Sequence, residues 1–456
     1  MLYPLAIFYW IGAASSLIVF AGFAIVSLLE GEPRATRVSA LAALAGTMLF
    51  ALAAQLPQSA QIGIFFGTVM LALTGLIAFL IPVGEVDLTR DAPSKRMDER
   101  NIVFARYNLV PGSPEHRAYY SRWPEDKAKD DLTRSKPGLL SLRATHADGL
   151  LFSASQGSFS VTGALRGLVD GPVSKEKIEL SPAKMTDFVK SLSRYYGALE
   201  VGVTKLQPYH VYSHVGRGPY SYGEPITLYH RYAIAITVEM DHKMVGAGPA
   251  AATVVESAHQ YVEAARAAVQ VAEAIRGWGY AARAHIDGDY RVICPLVARD
   301  AGLGEIGRMG ILITPRHGPR VRLAVVTTEL ELIPDRRKKD ASVIDFCTIC
   351  EKCADNCPVR AIPFGERGEI DGTLRWRINP DTCFRYWNVV GTDCGRCLSV
   401  CPYSHPNSGF HNLVRWGSAR SGGFRRLALW LDDLFYGKRP APRRPPAWTS
   451  PGGSVK

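Results

Sequence analysis

Three apolar stretches without a charged side chain occupy the start of the chain, at residues 5–29, 39–56 and 62–83. A helix that crosses a membrane needs about 20 apolar residues, so the pattern predicts three membrane spans, the middle one near the lower limit. A cleaved signal peptide is not favoured, because no basic region precedes the first stretch and two further apolar stretches follow it. We therefore expect a transmembrane α-helical anchor at residues 1–84.

The charges that flank these stretches predict the orientation of the anchor. The first loop carries Arg34 and Arg37, the second loop at residues 57–61 carries no charge, and four basic side chains follow the third stretch between Arg90 and Arg100. Because basic loops stay in the cytoplasm, the first loop and the rest of the chain are expected there. The prediction is a multi-pass protein of the cytoplasmic membrane whose large domain faces the cytoplasm.

Beyond residue 84 the apolar positions recur with the periods of a soluble domain. Residues 85–140 are polar and contain proline, which indicates a linker or covering segment. Ser181-Pro182 predicts the start of a helix that Gly197 ends. The other predicted elements are a helix at 251–276 and strands at 199–203, 231–239, 280–286, 310–314 and 321–328. Helices that alternate with strands predict an α/β layered domain at residues 141–342.

Eight of the nine cysteines fall into two blocks further along the chain. The first block has the spacing C-x2-C-x2-C-x3-C-P, which is typical of cubane iron–sulfur proteins, and in two-cluster proteins the fourth cysteine of such a run serves the other cluster. This predicts a ferredoxin-like module with two [4Fe-4S] clusters at residues 343–410. One cluster would be bound by Cys347, Cys350, Cys353 and Cys401, and the other by Cys357, Cys383, Cys394 and Cys397.

Zinc sites and disulfides explain these blocks less well. Zinc sites seldom use three thiolates at successive two-residue gaps with a fourth before proline. Disulfides suit small secreted domains rather than a chain of 456 residues with its cysteines in one region. The ninth cysteine, Cys294, lies in an apolar run and is expected to be a buried structural thiol.

The formal net charge of +11 is concentrated towards the end of the chain. Residues 411–456, predicted as a helix followed by a basic, proline-rich tail, carry nine Lys and Arg side chains and two Asp. The composition of residues 437–456 predicts a disordered tail, which either lies near an acidic surface such as phospholipid or is simply solvated. Nucleic-acid binding is not expected, because no basic patch interleaved with aromatic residues occurs elsewhere.

The run GLGEIGR at residues 302–308 contains the pattern G-x-G-x-x-G. A dinucleotide fingerprint needs a strand before this pattern and a helix after it. Here a helical-looking segment at residues 296–301 precedes the run and a strand follows, so a nicotinamide cofactor is not favoured. The run does let the backbone approach a large flat ligand closely, because glycine has no side chain.

The longer run GLGEIGRMGILITPRHGPRVR at residues 302–322, with cysteine blocks in which only ten residues separate Cys383 and Cys394, resembles the cobalamin-dependent reductive dehalogenases. Weaker fragments extend the resemblance over about residues 100–437, and epoxyqueuosine reductases share the overall plan. The resemblance implies a nitroreductase-like α/β domain that binds base-off cobalamin, a corrinoid, next to one of the clusters. The cofactor-binding residues that it implies are Gly302, Leu303, Gly304, Gly307 and Arg308.

The resemblance also implies a reaction and an acid. The reaction is reductive dehalogenation of an organohalide, R–X + 2e⁻ + H⁺ → R–H + X⁻, with the difficult chemistry supplied by the cofactor. Tyr261 occupies the place of the family's proton donor. Since a phenol with a pKa of about 10 donates a proton only if a cation stabilises its phenolate, a basic residue is expected beside it. Arg320 is the first candidate for that residue, and Arg308 and Arg322 are alternatives.

The residues leave other interpretations open. Asp287 or Asp289 could be the acid, as in the epoxyqueuosine branch, and Tyr261 could be a core residue. The substrate could lack a halogen, or the chain could be a corrinoid-free electron carrier. No histidine precedes His116, so the spans cannot bind haem through paired histidines. The spans are then a plain anchor, or a quinol supplies electrons there; ferredoxin and flavodoxin are the other candidate donors.

Overall fold

A computed structural model of the protein describes residues 4–80, 86–337 and 339–451. Contacts within the chain separate two compact units. The smaller unit comprises Met1–Val86 and Pro406–Pro440, and the larger unit comprises Asp87–His405 and Ala441–Lys456. The helices after residue 405 therefore belong with the N-terminal helices, an association that no pattern in the sequence indicated. The domain limits expected from the sequence stay a prediction.

The helices and strands are numbered along the chain. The helices are α1 (Pro4–Glu30), α2 (Pro33–Ala53), α3 (Gln58–Leu80), α4 (Val103–Tyr107), α5 (Pro114–Arg122), α6 (Pro124–Arg134), α7 (Gly149–Leu165), α8 (Pro182–Tyr195), α9 (His242–Gly246), α10 (Ala251–Gly277), α11 (Cys294–Asp300), α12 (Ala341–Cys350), α13 (Lys352–Asp355), α14 (Pro380–Val390), α15 (Arg396–Ser399), α16 (Gly409–Arg420) and α17 (Gly422–Phe435). The strands are β1 (Glu200–Lys205), β2 (Tyr232–Glu239), β3 (Ala282–His285), β4 (Glu305–Ile306), β5 (Leu312–Ile313), β6 (Val321–Thr328), β7 (Gly368–Ile370) and β8 (Thr373–Arg375).

The smaller unit begins with three helices, α1 to α3, that are long and apolar enough to cross a membrane. They coincide with the three apolar stretches of the sequence, although residues 81–83 of the third stretch lie outside the described residues. Small side chains let α1 and α2 approach closely, since a Cβ atom on Gly46 would lie 2.0 Å from Oγ of Ser16. Contact through small residues is typical of helix pairs in membranes.

The larger unit is built on a four-stranded antiparallel sheet with the strand order β1-β2-β6-β3. Side chains alternate between the two faces of the sheet, as the pleat requires. On β2, Ile234 and Ile236 face a core shared with α8 and α10, whereas Ala233 and Ala235 face a core shared with α11. Helices therefore cover both faces, and the predicted mixed helix-and-sheet class is confirmed.

The predicted elements of this unit are largely present. The Ser181 side chain accepts a hydrogen bond from the Lys184 N–H and caps α8. The long helix predicted at 251–276 is α10, and it lies against three strands of the sheet. The strand predicted at 310–314 is only the two-residue β5, because the chain turns back on itself where Thr314 pairs with Gly318.

Residues 85–140, predicted as a linker or covering segment, contain α4, α5 and α6 in their described part, residues 86–140. Arg106 of α4 is buried and forms ion pairs with Asp126 at 3.1 Å, with Asp130 at 3.2 Å and with Asp381 of α14. These helices pack through charged side chains and also through a small buried cluster that includes Leu109, Tyr119 and Tyr120.

The tail also differs from the expectation of disorder. The Arg443 N–H donates a hydrogen bond of 3.0 Å to the Gly246 carbonyl of the larger unit, and Thr449 is buried. A Cβ atom on Gly246 would lie 2.6 Å from Nη1 of Arg443, so the contact is close. The expectation is therefore wrong for residues 441–451, and residues 452–456 lie outside the described part of the chain.

Candidate active site

A cavity of about 870 Å³ lies within the larger unit. This volume falls within the range of about 300–1,000 Å³ that is usual for ligand and cofactor sites. The aromatic side chains that line it are Phe104, Tyr107, Phe159, Tyr212, Tyr222, Tyr261, Tyr290, Phe384 and Trp387. Such walls suit a large, flat, mostly apolar ligand.

Tyr261 lines the cavity from α10, and a cation covers its ring. Cζ of Arg322, from β6, lies 4.6 Å from the centroid of the Tyr261 ring. Burial raises the pKa of Tyr261 to about 12, and the positive charge of Arg322 opposes that rise. The phenol is therefore protonated at neutral pH and has the cation that would stabilise its phenolate.

A carboxylate and a hydroxyl hold Arg322 in this position. Nη2 of Arg322 donates a hydrogen bond of 2.9 Å to Oδ2 of Asp393, and the Ser257 hydroxyl contacts both side chains. Burial raises the pKa of Asp393 to about 6, and the adjacent Arg322 opposes the rise. Nε of Arg322 and Oδ1 of Asp393 are buried polar atoms without a hydrogen-bond partner. Both atoms are available to a polar group of a ligand.

Asp287 lines the same cavity but has a different environment. Nη2 of Arg166 lies 4.0 Å from its carboxylate, and Nε of Arg166 donates a hydrogen bond to its backbone carbonyl. Burial raises the pKa of Asp287, although Arg217 and Arg166 oppose the shift. Cys294 is buried as expected, and it too lines the cavity.

Arg320, the first candidate for the cation beside Tyr261, lies elsewhere. Its Nε donates a hydrogen bond of 2.6 Å to the Ser404 carbonyl, and its Nη1 donates to the Met240 carbonyl and to Glu239. Arg320 does not line the cavity, so the structure favours Arg322 in its place. Two residues of separation along the chain are enough to direct the two guanidinium groups to different surroundings.

Arg308 is also placed away from the cavity. It is fully buried, and its guanidinium donates hydrogen bonds to the backbone carbonyls of Cys347, Thr348, Pro363 and Gly365. Its Cζ lies 4.6 Å from the centroid of the Trp376 ring. Arg308 therefore stabilises the backbone around the first cysteine block. It is not placed to stabilise the phenolate of Tyr261.

The glycine run packs against the protein itself. None of its five expected cofactor-binding residues, all of which are described, lines the cavity. A Cβ atom on Gly304 would lie 2.2 Å from the Ile313 carbonyl oxygen, and one on Gly307 would lie 2.3 Å from Cδ1 of Ile313. Leu303 is buried in the core beside α11. The close approach that Gly304 and Gly307 allow is thus to β5. A contact of the run with a cofactor stays a prediction.

We expect Gly304→Ala to lower the Tm of the protein with or without a bound cofactor. The added methyl group would collide with backbone, and overpacking of this kind costs about 1–3 kcal/mol. Thermal unfolding would be compared with that of Gly277→Ala, whose Cβ would have no atom within 4 Å and which should change little. If Gly304→Ala loses cofactor while its Tm is unchanged, the glycine run binds the cofactor after all.

The first predicted set of cysteines surrounds a small cavity of its own. Cys347, Cys350, Cys353 and Cys401 line it together, with Arg308 and Tyr403 beside them. Burial raises the pKa of the Cys401 thiol, and the nearness of the other three cysteines raises it further. The four side chains therefore face a common space, as ligands of one cluster must.

The second predicted set is also brought together. Burial and the neighbouring Cys383 and Cys357 raise the pKa of Cys394 to about 12, and all three raise that of Cys397. Among the described residues, no three ligand side chains converge on a single metal ion. That is compatible with cubane sites, because each thiolate of a [4Fe-4S] cluster binds a different iron atom.

The second set lies next to the large cavity. Phe384 and Asp393, which directly follow Cys383 and precede Cys394, line the cavity wall. No cysteine of either set lines that wall itself, and no direct chain neighbour of the first set does so. The second thiol site is therefore the nearer of the two to Tyr261 and Arg322.

Sequence reasoning missed three residues around Tyr261. Ser257 lies one helical turn before Tyr261 on α10, so the i, i+4 spacing of a helix could have identified it. Asp393 is an acidic residue within a cysteine block, which is a weaker signal. Arg217 lies in a loop, pairs with Glu99 at 3.1 Å and had no detectable signal.

Two four-thiol sites, one of them bordering a cofactor-sized cavity lined by Tyr261 and Arg322, define an iron–sulfur redox protein. The family model for a 4Fe-4S dicluster domain matches residues 346–405 and confirms the predicted iron–sulfur module. Tetrachloroethene reductive dehalogenase of Sulfurospirillum multivorans is 39% identical over 150 residues, which are 31% of this chain and 30% of that protein. Trichloroethene reductive dehalogenase of Dehalococcoides mccartyi is 31% identical over 161 residues, 33% of this chain and 27% of that protein.

Solved structures agree in fold. The catabolic reductive dehalogenase NpRdhA superposes with a TM-score of 0.64 and 23% identity, over 79% of this chain and 49% of that chain. Epoxyqueuosine reductase of Lactococcus garvieae is a more distant relative, 30% identical over 121 residues, 25% of this chain and 33% of that protein. The chain is therefore similar to reductive dehalogenases over about a third of its sequence, and it shares the fold of one over most of its length. It covers about a third or less of the curated relatives and about half of the solved chain.

Proposed function

We propose that the protein is a membrane-anchored reductive dehalogenase that converts R–X, two electrons and a proton into R–H and X⁻. The observation that carries the proposal is the position of Tyr261 under Arg322 in a cavity whose wall adjoins the second thiol site. An electron supply and a proton donor thus meet at one large cavity. The organohalide relatives support the choice of substrate class.

The cavity fits a corrinoid. Its volume and aromatic walls suit a large flat ring, and the buried, unpartnered Nε of Arg322 and Oδ1 of Asp393 suit a ligand with polar groups. Base-off binding without a histidine ligand is part of the proposal. When bound, the corrinoid would supply the two-electron cleavage of the carbon–halogen bond.

Electrons would enter through two [4Fe-4S] clusters. The cluster of Cys357, Cys383, Cys394 and Cys397 would lie next to the cavity, because chain neighbours of two of its ligands form the cavity wall. The cluster of Cys347, Cys350, Cys353 and Cys401 would receive electrons from the external donor. A quinol, a ferredoxin or a flavodoxin remains the candidate donor.

We expect Cys383→Ala and Cys401→Ala to affect different clusters. Each variant should lose up to four of about eight iron atoms, or show an altered electron paramagnetic resonance spectrum of one cluster. With a strong chemical reductant, Cys401→Ala should keep part of the turnover, whereas Cys383→Ala should lose it. Equal loss of turnover in both variants would contradict the assignment of the nearer cluster.

Tyr261 would donate the proton to the carbon that loses halide. The Arg322 guanidinium stacks on its ring and would stabilise the phenolate that remains after the transfer. Ser257 and Asp393 would fix the guanidinium in this position. Asp287 is the alternative acid, since it lines the same cavity and burial raises its pKa.

The helices α1, α2 and α3 would anchor the enzyme in the cytoplasmic membrane. Their length and apolar composition support spanning, and Arg34 and Arg37 support a cytoplasmic first loop. A reporter that is active only in the cytoplasm should be active when it is fused after Lys456. Activity of a periplasmic reporter at that position would contradict the orientation.

Anaerobic purification followed by metal and cofactor analysis tests the function. The expected content is about eight iron atoms and one corrinoid per chain. Halide should be released from one or more members of a panel of haloaromatics and haloalkanes under a strong reductant. Iron without cobalt would indicate an electron carrier instead. Cobalt without halide release from any compound would favour a related reductase of a non-halogenated substrate.

A further inference from the structure

The last two helices of the smaller unit are α16 and α17, which we call the terminal helix pair (residues 409–435). The pair packs on helices that are long and apolar enough to cross a membrane. The Phe424 ring of α17 lies 5.9 Å from that of Phe79 of α3, and the Phe435 ring lies 5.2 Å from that of Phe23 of α1. The pair is therefore continuous with the candidate spans.

All of these contacts occur at one end of the three spans. Phe23 lies in the last third of α1, and Phe79 is at the end of α3. Nε of Arg34, at the start of α2, donates a hydrogen bond of 3.1 Å to the Leu434 carbonyl. His411 of α16 lies 3.1 Å from the carboxylate of Glu30 at the end of α1. Successive spans alternate in direction, so these positions share the end that carries Arg34 and Arg37.

The opposite end of the spans is marked by other contacts. The Tyr9 hydroxyl near the start of α1 donates a hydrogen bond of 2.6 Å to the Gln61 carbonyl near the start of α3. The Phe8 ring lies 5.1 Å from the Phe65 ring. The terminal helix pair is thus confined to the end that the distribution of basic residues assigns to the cytoplasm.

The terminal helix pair leaves an apolar stripe uncovered on each helix. On α17, Leu427, Trp430 and Leu434 follow the spacing i, i+3, i+7, and Trp430 is 61% exposed. On α16, Leu413 and Trp416 are exposed and lie one turn apart. The other face of α17 carries the buried residues Arg425, Ala428, Asp432 and Phe435. The stripes therefore lie on the side of each helix that does not contact the rest of the smaller unit.

Basic side chains flank these stripes. Arg420 and Arg426 are exposed, and Cζ of Arg420 lies 4.4 Å from the centroid of the Trp416 ring. Tryptophan is enriched at the level of lipid headgroups, and long basic side chains place their charge there while their stems stay apolar. A helix with an apolar stripe and a basic edge is typical of segments that lie in the membrane interface.

We propose that the terminal helix pair lies flat in the cytoplasmic membrane–water interface. Leu413, Trp416, Leu427, Trp430 and Leu434 would enter the lipid, and Arg420 and Arg426 would contact the phosphates of anionic phospholipids. The proposal rests on the proposed anchor, because the spans must cross the bilayer for their end to lie at its surface. It adds a lipid-binding surface to the part of the chain that directly follows the iron–sulfur module.

Photo-crosslinking in the full-length protein tests the lipid contact. A benzophenone amino acid would replace Trp416, Trp430, Leu71 or Tyr195 in separate variants reconstituted into vesicles of phosphatidylcholine and phosphatidylglycerol. Leu71 of α3 is 74% exposed and serves as the lipid-facing reference, and Tyr195 of the larger unit, 85% exposed, serves as the reference in water. We expect lipid adducts at Trp416, Trp430 and Leu71, and none at Tyr195.

The outcomes separate this inference from the anchor on which it rests. Lipid adducts at Leu71 but not at Trp416 and Trp430 would overturn the interfacial position and leave the anchor intact. Adducts of twice the chain mass at Trp430 would mean that a second copy covers the stripe, which also overturns the proposal. The absence of a lipid adduct at Leu71 would refute the anchor itself.

Lipid selectivity tests the role of the two arginines. Phosphatidylglycerol should be enriched among the adducts at Trp430 relative to its share of the vesicle lipid. In the double variant Arg420→Gln and Arg426→Gln the adducts should return to the bulk ratio, while the adducts at Leu71 stay unchanged. A bulk ratio already in the unmodified chain would overturn the assignment of phosphate contacts to these arginines.

Discussion

Tyr261→Phe is expected to lower turnover by a factor of about 10² to 10⁴, the usual contribution of a positioned acid. The substitution removes the only proton of the side chain that can be transferred, and it leaves the ring that Arg322 covers. Iron and corrinoid contents should stay at the level of the unmodified protein. Halide release under a strong reductant measures the effect.

A matched control is available in the same unit. The Tyr280 hydroxyl donates a hydrogen bond to the Ile178 carbonyl, and Tyr280 does not line the cavity. Tyr280→Phe should therefore keep full turnover. If Tyr261→Phe keeps its turnover and Asp287→Asn loses it, the proton donor is the Asp287 carboxyl group and not Tyr261.

The pH dependence distinguishes the same two acids. Tyr261 donates its proton only in the protonated form, which persists at any pH below its pKa of about 12. The chemical step should therefore not slow as the pH rises from about 7 to about 10, the ordinary pKa of tyrosine. A decline in rate within that interval would indicate an acid with a lower pKa than the Tyr261 phenol.

Arg322→Gln is the substitution expected to have the second largest effect. Without the guanidinium, the phenolate of Tyr261 loses its stabilising cation, so turnover should fall by about 10² or more. Arg322→Lys should recover only part of the rate, because an ammonium keeps the charge but not the planar stacking on the ring. Single-turnover halide release would separate this effect from electron supply.

The same substitution also leaves Asp393 without its ion-pair partner. Loss of one partner of a buried pair can cost about 3–5 kcal/mol, and less is expected here because both side chains border the cavity. The double variant Arg322→Gln with Asp393→Asn should therefore regain stability but not turnover. Recovery of turnover in the double variant would show that stability, rather than the cation, limits Arg322→Gln.

Arg320→Gln provides the contrast. Its guanidinium binds the carbonyls of Ser404 and Met240 away from the cavity, so the variant should unfold at a lower temperature. The kcat of the folded, cofactor-loaded fraction should stay close to that of the unmodified protein. A large loss of kcat in Arg320→Gln, with none in Arg322→Gln, would restore the first expectation from the sequence.

Local patterns in the sequence predicted what depends on local spacing. The apolar stretches correspond to α1, α2 and α3, which are long and apolar enough to cross a membrane. The cap at Ser181 and the long helix α10 were also confirmed, because the contacts that define them lie within a few turns of one chain segment. The cysteine spacing likewise predicted which thiols face a common space.

Local patterns could not decide whether Arg320 or Arg322 lies beside Tyr261. Residues two apart in a strand share a face, so the pattern gave no reason to prefer Arg322 over Arg320, which was the first candidate. β6 begins at Val321, as the sequence predicted, yet the Arg320 guanidinium binds the Ser404 and Met240 carbonyls while that of Arg322 lies over the Tyr261 ring. The side chain that reaches Tyr261 is therefore selected by the groups that pack around each arginine.

The sequence by itself determined the iron–sulfur chemistry, the membrane-spanning pattern and the place of Tyr261 on a helix, because each depends on spacings along one short segment. Only the tertiary structure decided that the glycine run packs on Ile313, that Arg322 covers Tyr261 and that α16 and α17 join the N-terminal helices. A glycine permits close approach to any neighbour, and an arginine can reach in several directions. Which neighbour is present follows from how distant segments pack, and that information is spread over the whole chain.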